Sequence, residues 1–240
     1  MKKYLTIVLT EKAEFSAPDS VEIICRDENG IKEEFFLDSI SKASGKYFLY
    51  VDGVAEINAE AIEEFVSSKD SGADIVAFDN CYAIKTSIIK QYRPKAGESG
   101  VLAKINALIA AKSVSRVQLS PFKISFKAQD FDQTEILSAD ESFNRAKGKM
   151  DRQVYMIAFD ELIRINTEHY LFAYLKGCAE KNFEEIIAFD KKLKENVVLY
   201  LAVEKRFPVG NLHKMRENGF KSSLILSGKV KNYLKKTFTT

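Results

Sequence analysis

Short apolar runs alternate with amphipathic stretches through the first half of the chain. Tyr4–Leu9 (YLTIVL), Val21–Cys25 (VEIIC), Lys46–Val51 (KYFLYV) and Asp74–Phe78 (DIVAF) are of strand length. The second run closes on Arg26-Asp27-Glu28-Asn29-Gly30 and the third on Asp52-Gly53, both turn signals. Between runs two and three, Glu33–Ser44 places Phe36, Leu37 and Ile40 on one helical face. After the third, Asn58 occupies an N-cap position and Glu60 the first turn, where the helix dipole favours a carboxylate. Ala61, Ile62, Phe65 and Val66 then recur at helical spacing. Strand, helix and strand in this order predict a parallel pair with a right-handed crossover. The strands ending at Cys25, Val51 and Phe78 are expected side by side and parallel, with Asp27, Asp52 and Asp79 at one edge. In open parallel sheets, ligands bind beyond the carboxyl ends of the strands.

The pattern continues with Cys81–Pro94 (CYAIKTSIIKQYRP), a strand running into a short helix. A helix is expected over Val101–Ala111 and an extended segment over Val114–Phe126. From about Ser142 the periodicity becomes helical throughout. Val154, Ile157, Ala158, Leu162 and Ile165 share a face, as do Tyr170, Ala173, Tyr174 and Cys178, with interruptions near Gly177 and Asn182. Asn196–Val203 reads equally as helix or strand. The expected division is an α/β domain over 1–140 and a helical region over 141–240. Apolar faces in the helical region require a partner surface, either the sheet or a second copy of the chain in a homodimer.

Composition narrows this picture little. The chain has 240 residues, 46% hydrophobic and 29% charged, enough for a sizeable core. A net charge of +2 gives no general attraction to nucleic acid. The charge is uneven, however: Lys221, Lys229, Lys231, Lys235 and Lys236 stand in a C-terminal stretch without an acid. That stretch reads either as a solvated helix face or as a peripheral contact with anionic lipid headgroups. Cys25, Cys81 and Cys178 are odd in number and form no CxxC pair, which fits a reducing cytoplasm and argues against metal or disulfide roles. The first apolar run is too short for a signal peptide or a membrane span. His169 reads as packed or surface, and no Ser/His/Asp set, P-loop or GxGxxG occurs.

The text ASGKYFLYVDGVAEINAEAIEEFV…ADIVA resembles the core of family 2 glycosyltransferases, whose chains run "ATGEYILFLDSDDWIDPDALEKLV…ADIVI". Ala43, Gly45, Tyr47, Asp52, Ile57, Ala61, Ala73, Asp74, Ile75 and Val76 fall in register. Val21–Asn29 is similar to the family's "EIIVVDDGS". The resemblance implies a GT-A-like α/β fold with a mainly parallel sheet. It implies transfer of a sugar from a nucleotide-sugar donor to a cell-surface polysaccharide or lipid-linked acceptor. It places Asp27 and Asp52 at the nucleotide. Asp52 would also hold Mg²⁺ or Mn²⁺, ions that suit hard oxygen ligands.

Three departures accompany the resemblance. The family's first helix, between the first two strands, is replaced by a short loop. The Asp-x-Asp pair reads Asp52-Gly53-Val54, leaving Glu56 as the nearby second carboxylate. The family's base aspartate is absent from Gly97-Glu98-Ser99-Gly100, which leaves Glu98 as the candidate base for the acceptor hydroxyl. Two readings follow: a glycosyltransferase of weak activity, and a catalytically inactive relative acting as a binding or scaffold protein.

Overall fold

Leu5–Leu9 (β1), Val21–Cys25 (β2) and Tyr47–Val51 (β3) are the apolar runs expected as strands, and they pair in parallel with β1 between the others. The computed structural model describes residues 3–10, 17–26, 32–52, 54–67, 72–94, 100–124, 128–207 and 212–220. Ile75–Ala77 (β5), Tyr82–Lys85 (β6) and Val114–Arg116 (β7) complete a six-stranded sheet of order β2-β1-β3-β6-β5-β7. β5 and β7 are parallel, and β6 runs antiparallel to both of its neighbours.

The sheet is therefore mixed, with β6 running against the other five strands. Strands ending at Val51 and near Phe78 run in the same direction but are not adjacent, because β6 separates them. The reason is local. Phe78 N–H bonds the Cys81 carbonyl at 2.9 Å, closing a tight turn. A strand following so short a turn can only fold back beside β5 as a hairpin. Lys85 then anchors the hairpin by donating to Asp74 Oδ1 at 2.8 Å. Val54–Ile57, which follows the expected turn at Asp52, is a strand (β4) and pairs with Phe122–Ile124 (β8) in a separate two-stranded sheet.

Strand alternation gives the large sheet two apolar faces. Leu5, Ile7, Leu9, Tyr47, Leu49, Val51, Val76 and Phe78 share one core with Ile62 and Phe65 of helix Ala59–Ser67 (α2). Each such buried side chain contributes about 2 kcal/mol. Asn58 caps α2, its Oδ1 accepting from Ala61 N–H at 3.3 Å. On the opposite face, Phe36 of Lys32–Lys42 (α1) meets the rings of Phe48 and Tyr50 edge-on, at 6.2 and 4.9 Å. Thr86–Gln91 (α3) packs on α1 and β3, and Val101–Ala110 (α4) packs on α3. Both faces thus carry helices among the described residues.

Gly45 explains how closely β3 enters the sheet. A Cβ there would lie 2.5 Å from Thr6 N and 2.6 Å from the Leu5 carbonyl carbon. Its own N–H donates to Thr6 Oγ1 at 2.9 Å.

The chain divides into two compact units, Met1–Lys127 with Thr134–Glu161, and Ala128–Gln133 with Leu162–Thr240. The division falls inside a helix. Gln133–Ala146 (α5) is followed by a short 3₁₀ turn and then by Arg152–Glu180 (α6), 29 residues without a break. In the first unit Phe143 of α5 meets the Tyr155 ring at a tilt and stacks on Phe159, at 5.2 and 5.8 Å, which keeps the first part of α6 with α5. α6 also runs through Gly177, which was expected to interrupt it. It ends at Lys181, left-handed at φ 56, with Asn182 N–H returning to the Gly177 carbonyl at 3.1 Å. The Phe183 ring occupies the place of the missing Gly177 Cβ.

The second unit adds Glu184–Leu193 (α7), Val197–Arg206 (α8) and Leu212–Glu217 (α9). Asn196 settles α8 as a helix by capping Leu199 N–H at 3.3 Å. Asp190, almost wholly buried, accepts from Tyr170 Oη and Arg216 Nε at 2.7 Å each and pairs with Lys194 at 2.9 Å. Arg216 also bonds Glu204 at 2.8 Å and lies 3.7 Å above the Tyr200 ring. Burial and the Asp190 carboxylate push the Tyr170 hydroxyl well above its ordinary pKa. His169 is buried against Phe189, its Nδ1 accepting from Phe131 N–H at 3.3 Å. Among the described residues, no helix is long and apolar enough to cross a membrane.

Candidate functional site

The two edges of the large sheet differ in chemistry. At the amino edge the polar groups are locked in structural bonds. Glu22 accepts from Thr6 Oγ1 at 2.6 Å and Ser44 N–H at 2.9 Å. Burial would raise its pKa, but these bonds and Lys3 hold it below the usual carboxylate range. Asp74 binds Lys85 and accepts from Lys112 N–H at 2.9 Å. Its burial is likewise more than offset, and its pKa is lowered.

At the carboxyl edge the register aligns three residues in one row. Leu9 is level with Cys25 on one side and Val51 on the other, so Thr10, Arg26 and Asp52 are the next residues out. Main-chain bonds hold the row: Thr10 N–H to the Val51 carbonyl at 3.3 Å, and Arg26 N–H to the Leu9 carbonyl at 3.1 Å. Leu9 and Val51 face the α2 core, so alternation turns the three next side chains toward the other face. Thr10 Oγ1 accordingly donates to Asp52 Oδ1 at 2.6 Å. Arg26 is half-buried, and its Nε is fully buried without a hydrogen-bond partner.

Asp79 extends the same edge. Phe78 faces the α2 core, so Asp79 shares the parity of Asp52, exposed beyond β5, with its N–H on the Leu119 carbonyl at 3.4 Å. With β6 between their strands, Asp52 and Asp79 stand roughly 10 Å apart at the backbone. Lys104 of α4 adds a cation on this face, its Nζ 4.1 Å from the Tyr50 ring centroid and 4.8 Å from that of Phe36.

No protein-family model matches the chain, and no curated protein matches it. Among solved structures it is similar to S. aureus TarS, residues 1–349. The TM-score is 0.36 and the identity 13%, over 81% of this chain and 92% of that one.

The structure therefore brings Asp52 and Asp79 to one edge, and adds Thr10 and Arg26, which sequence reasoning did not single out. Their signal was alternation: in YLTIVLT and VEIICR a polar residue follows the apolar run on the face opposite Leu9 and Cys25. Asp27 and Glu98 lie outside the described residues, as do the C-terminal lysines from Lys221 onward. Glu56 lies in β4, and its side chain is outside the described set. Among the described residues, no group of three or more His, Cys, Asp or Glu side chains is placed to hold a metal ion. The cysteines are free, and burial pushes the Cys81 thiol up to about 12, far from nucleophilic.

Proposed function

We propose that the sheet unit binds a nucleotide-sugar and is glycosyltransferase-like. The observation that supports this is the row Thr10, Arg26 and Asp52 at the carboxyl edge of parallel strands, where ligands of open α/β sheets bind. A hydroxyl, a guanidinium and a carboxylate together match a ligand carrying both hydroxyl groups and phosphates. The resemblance around Asp52 selects a nucleotide-sugar donor. In the transfer, the bond from the anomeric carbon to the diphosphate oxygen breaks with its electron pair on the diphosphate. An acceptor hydroxyl oxygen takes its place on that carbon and loses its proton to a base, for which Glu98 is the candidate. The acceptor class is a cell-surface polysaccharide or a lipid-linked precursor. A homodimer and a peripheral membrane contact through the basic C-terminus belong to the same proposal.

A second reading, a catalytically inactive relative that binds without transfer, draws on Val54 in place of the second carboxylate. Thermal-shift measurements with a panel of nucleoside diphosphates, with and without Mn²⁺, test the binding. Release of nucleoside diphosphate from the matching nucleotide-sugar separates the two readings. A chain that responds to no nucleotide under either condition is not a nucleotide-sugar protein.

A further inference from the structure

We infer that the guanidinium of Arg26, rather than a divalent metal ion, receives the diphosphate of a nucleotide bound at the carboxyl edge. The inference rests on the nucleotide-sugar reading above and names the cation of that site. The Mg²⁺ or Mn²⁺ implied by the fold family does not fit the described residues. Asp52 already accepts the Thr10 hydroxyl on Oδ1, position 54 is a valine that cannot ligate, and no metal-holding cluster of acids, His or Cys is present among the described residues. The Asp52 carboxylate in such a place suits hydroxyl groups of a sugar or ribose, as a hydrogen-bond acceptor.

The cation that the fold does place at this edge is Arg26. It continues β2 by one residue, level with Thr10, so its side chain leaves the sheet on the Asp52 side. Its Nε is buried and has no hydrogen-bond partner. Buried donors are nearly always satisfied in folded proteins, so this one is open to an acceptor that a ligand brings. The fork of Nε and Nη donors matches two phosphate oxygens at once. Lys104, held over the rings of Tyr50 and Phe36 on the same face, adds positive field behind it. Arg26 and Asp52 flank Thr10 at roughly 10 Å across two strand spacings. The phosphates thus belong over β2 and the hydroxyl-bearing part over β3.

The test is calorimetric titration of the full chain with pyrophosphate, UDP and GDP in excess EDTA, and again with Mn²⁺. The expected result is binding in EDTA, weakened at least about tenfold by Arg26→Gln and less by Arg26→Lys. Pyrophosphate affinity should survive Asp52→Asn, because the carboxylate is not part of the anion site. That variant keeps the inference testable if Arg26→Gln fails to fold. Binding that appears only with Mn²⁺, is unaffected by Arg26→Gln, or is abolished in EDTA by Asp52→Asn overturns the role of Arg26 and leaves the nucleotide reading standing. Absence of binding by every diphosphate, with or without Mn²⁺, overturns both.

Discussion

Asp190→Ala should cost the second unit about 4 kcal/mol. Asp190 is 4% exposed, and its Oδ1 is the shared acceptor of Tyr170 Oη and Arg216 Nε. Without it, a buried hydroxyl loses its acceptor, at about 1–3 kcal/mol. The Arg216 side chain, 6% exposed, keeps Glu204 and the face of the Tyr200 ring, and its Nη2 already has no hydrogen-bond partner. Removing one member of a buried ion pair costs about 3–5 kcal/mol in comparable cases. Lys194 adds little to the loss, since its side chain is half exposed and regains water. A unit of this size shifts its melting temperature by roughly 4–8 °C per kcal/mol, so the unit should melt more than about 12 °C lower. The chain has no tryptophan, which makes circular dichroism, far-UV and in the tyrosine band, the natural readout. Asp190→Asn, which keeps an acceptor for Tyr170, should fall between the two. Replacing Tyr170, Asp190 and Arg216 together by Phe, Leu and Met should recover most of the loss, because matched apolar groups leave nothing unsatisfied. A cost below about 1 kcal/mol for Asp190→Ala would refute the argument that this network is dry and closed.

Gly45→Ala should destabilise the sheet unit by at least about 2 kcal/mol in chemical denaturation, since its Cβ meets backbone rather than a movable side chain; a neutral result would mean that β1 and β3 can separate without cost. His169 makes the second unit acid-sensitive. Burial pushes its pKa down to about 4, with Glu185 and Asp132 pulling upward, Lys176 downward, and exposed Asp130 3.8 Å from Nδ1. The unfolded imidazole titrates near 6.5, so the stability it contributes is complete above that pH and drains away between about 6.5 and about 4. Urea midpoints for the parent and His169→Gln should therefore diverge over that window, and parallel curves would contradict the burial. Val54→Asp restores a second carboxylate two residues after Asp52, so Mn²⁺ should raise the melting temperature of that variant more than that of the parent; equal responses would show that position 54 does not limit metal binding.

How much of this was legible in the sequence follows from what each feature depends on. Faces are local: Leu5, Ile7 and Leu9 alternate with Thr6 and Val8, and Ile62 and Phe65 recur at helical spacing, so the core could be read from periodicity. Pairing is not local. Tyr82–Lys85 was recognisable as a strand, but its insertion between β3 and β5 also depends on pairing Lys85 with Tyr47 and Ile84 with Phe48, residues far apart in the chain. Periodicity was also silent at Asn196–Val203, where valines and leucines suit either element. The cap decides it, and the resulting helix leaves Val197, Val198 and Leu201 exposed, contrary to a reading from apolar content alone.

The candidate site shows the same division. Asp52 was visible because it ends an apolar run at a turn and falls within a recognisable stretch. Thr10 and Arg26 were not, because each is one polar residue whose meaning lies in the register. A shift of β2 by a single position would put Arg26 where exposed Cys25 stands, on the α2 side and away from Thr10 and Asp52. The apolar pattern of VEIIC therefore fixes the direction of the arginine that follows it. The positive charge at the carboxyl edge is a consequence of how β2 packs, and it does not depend on a carboxylate at position 54, which is a valine.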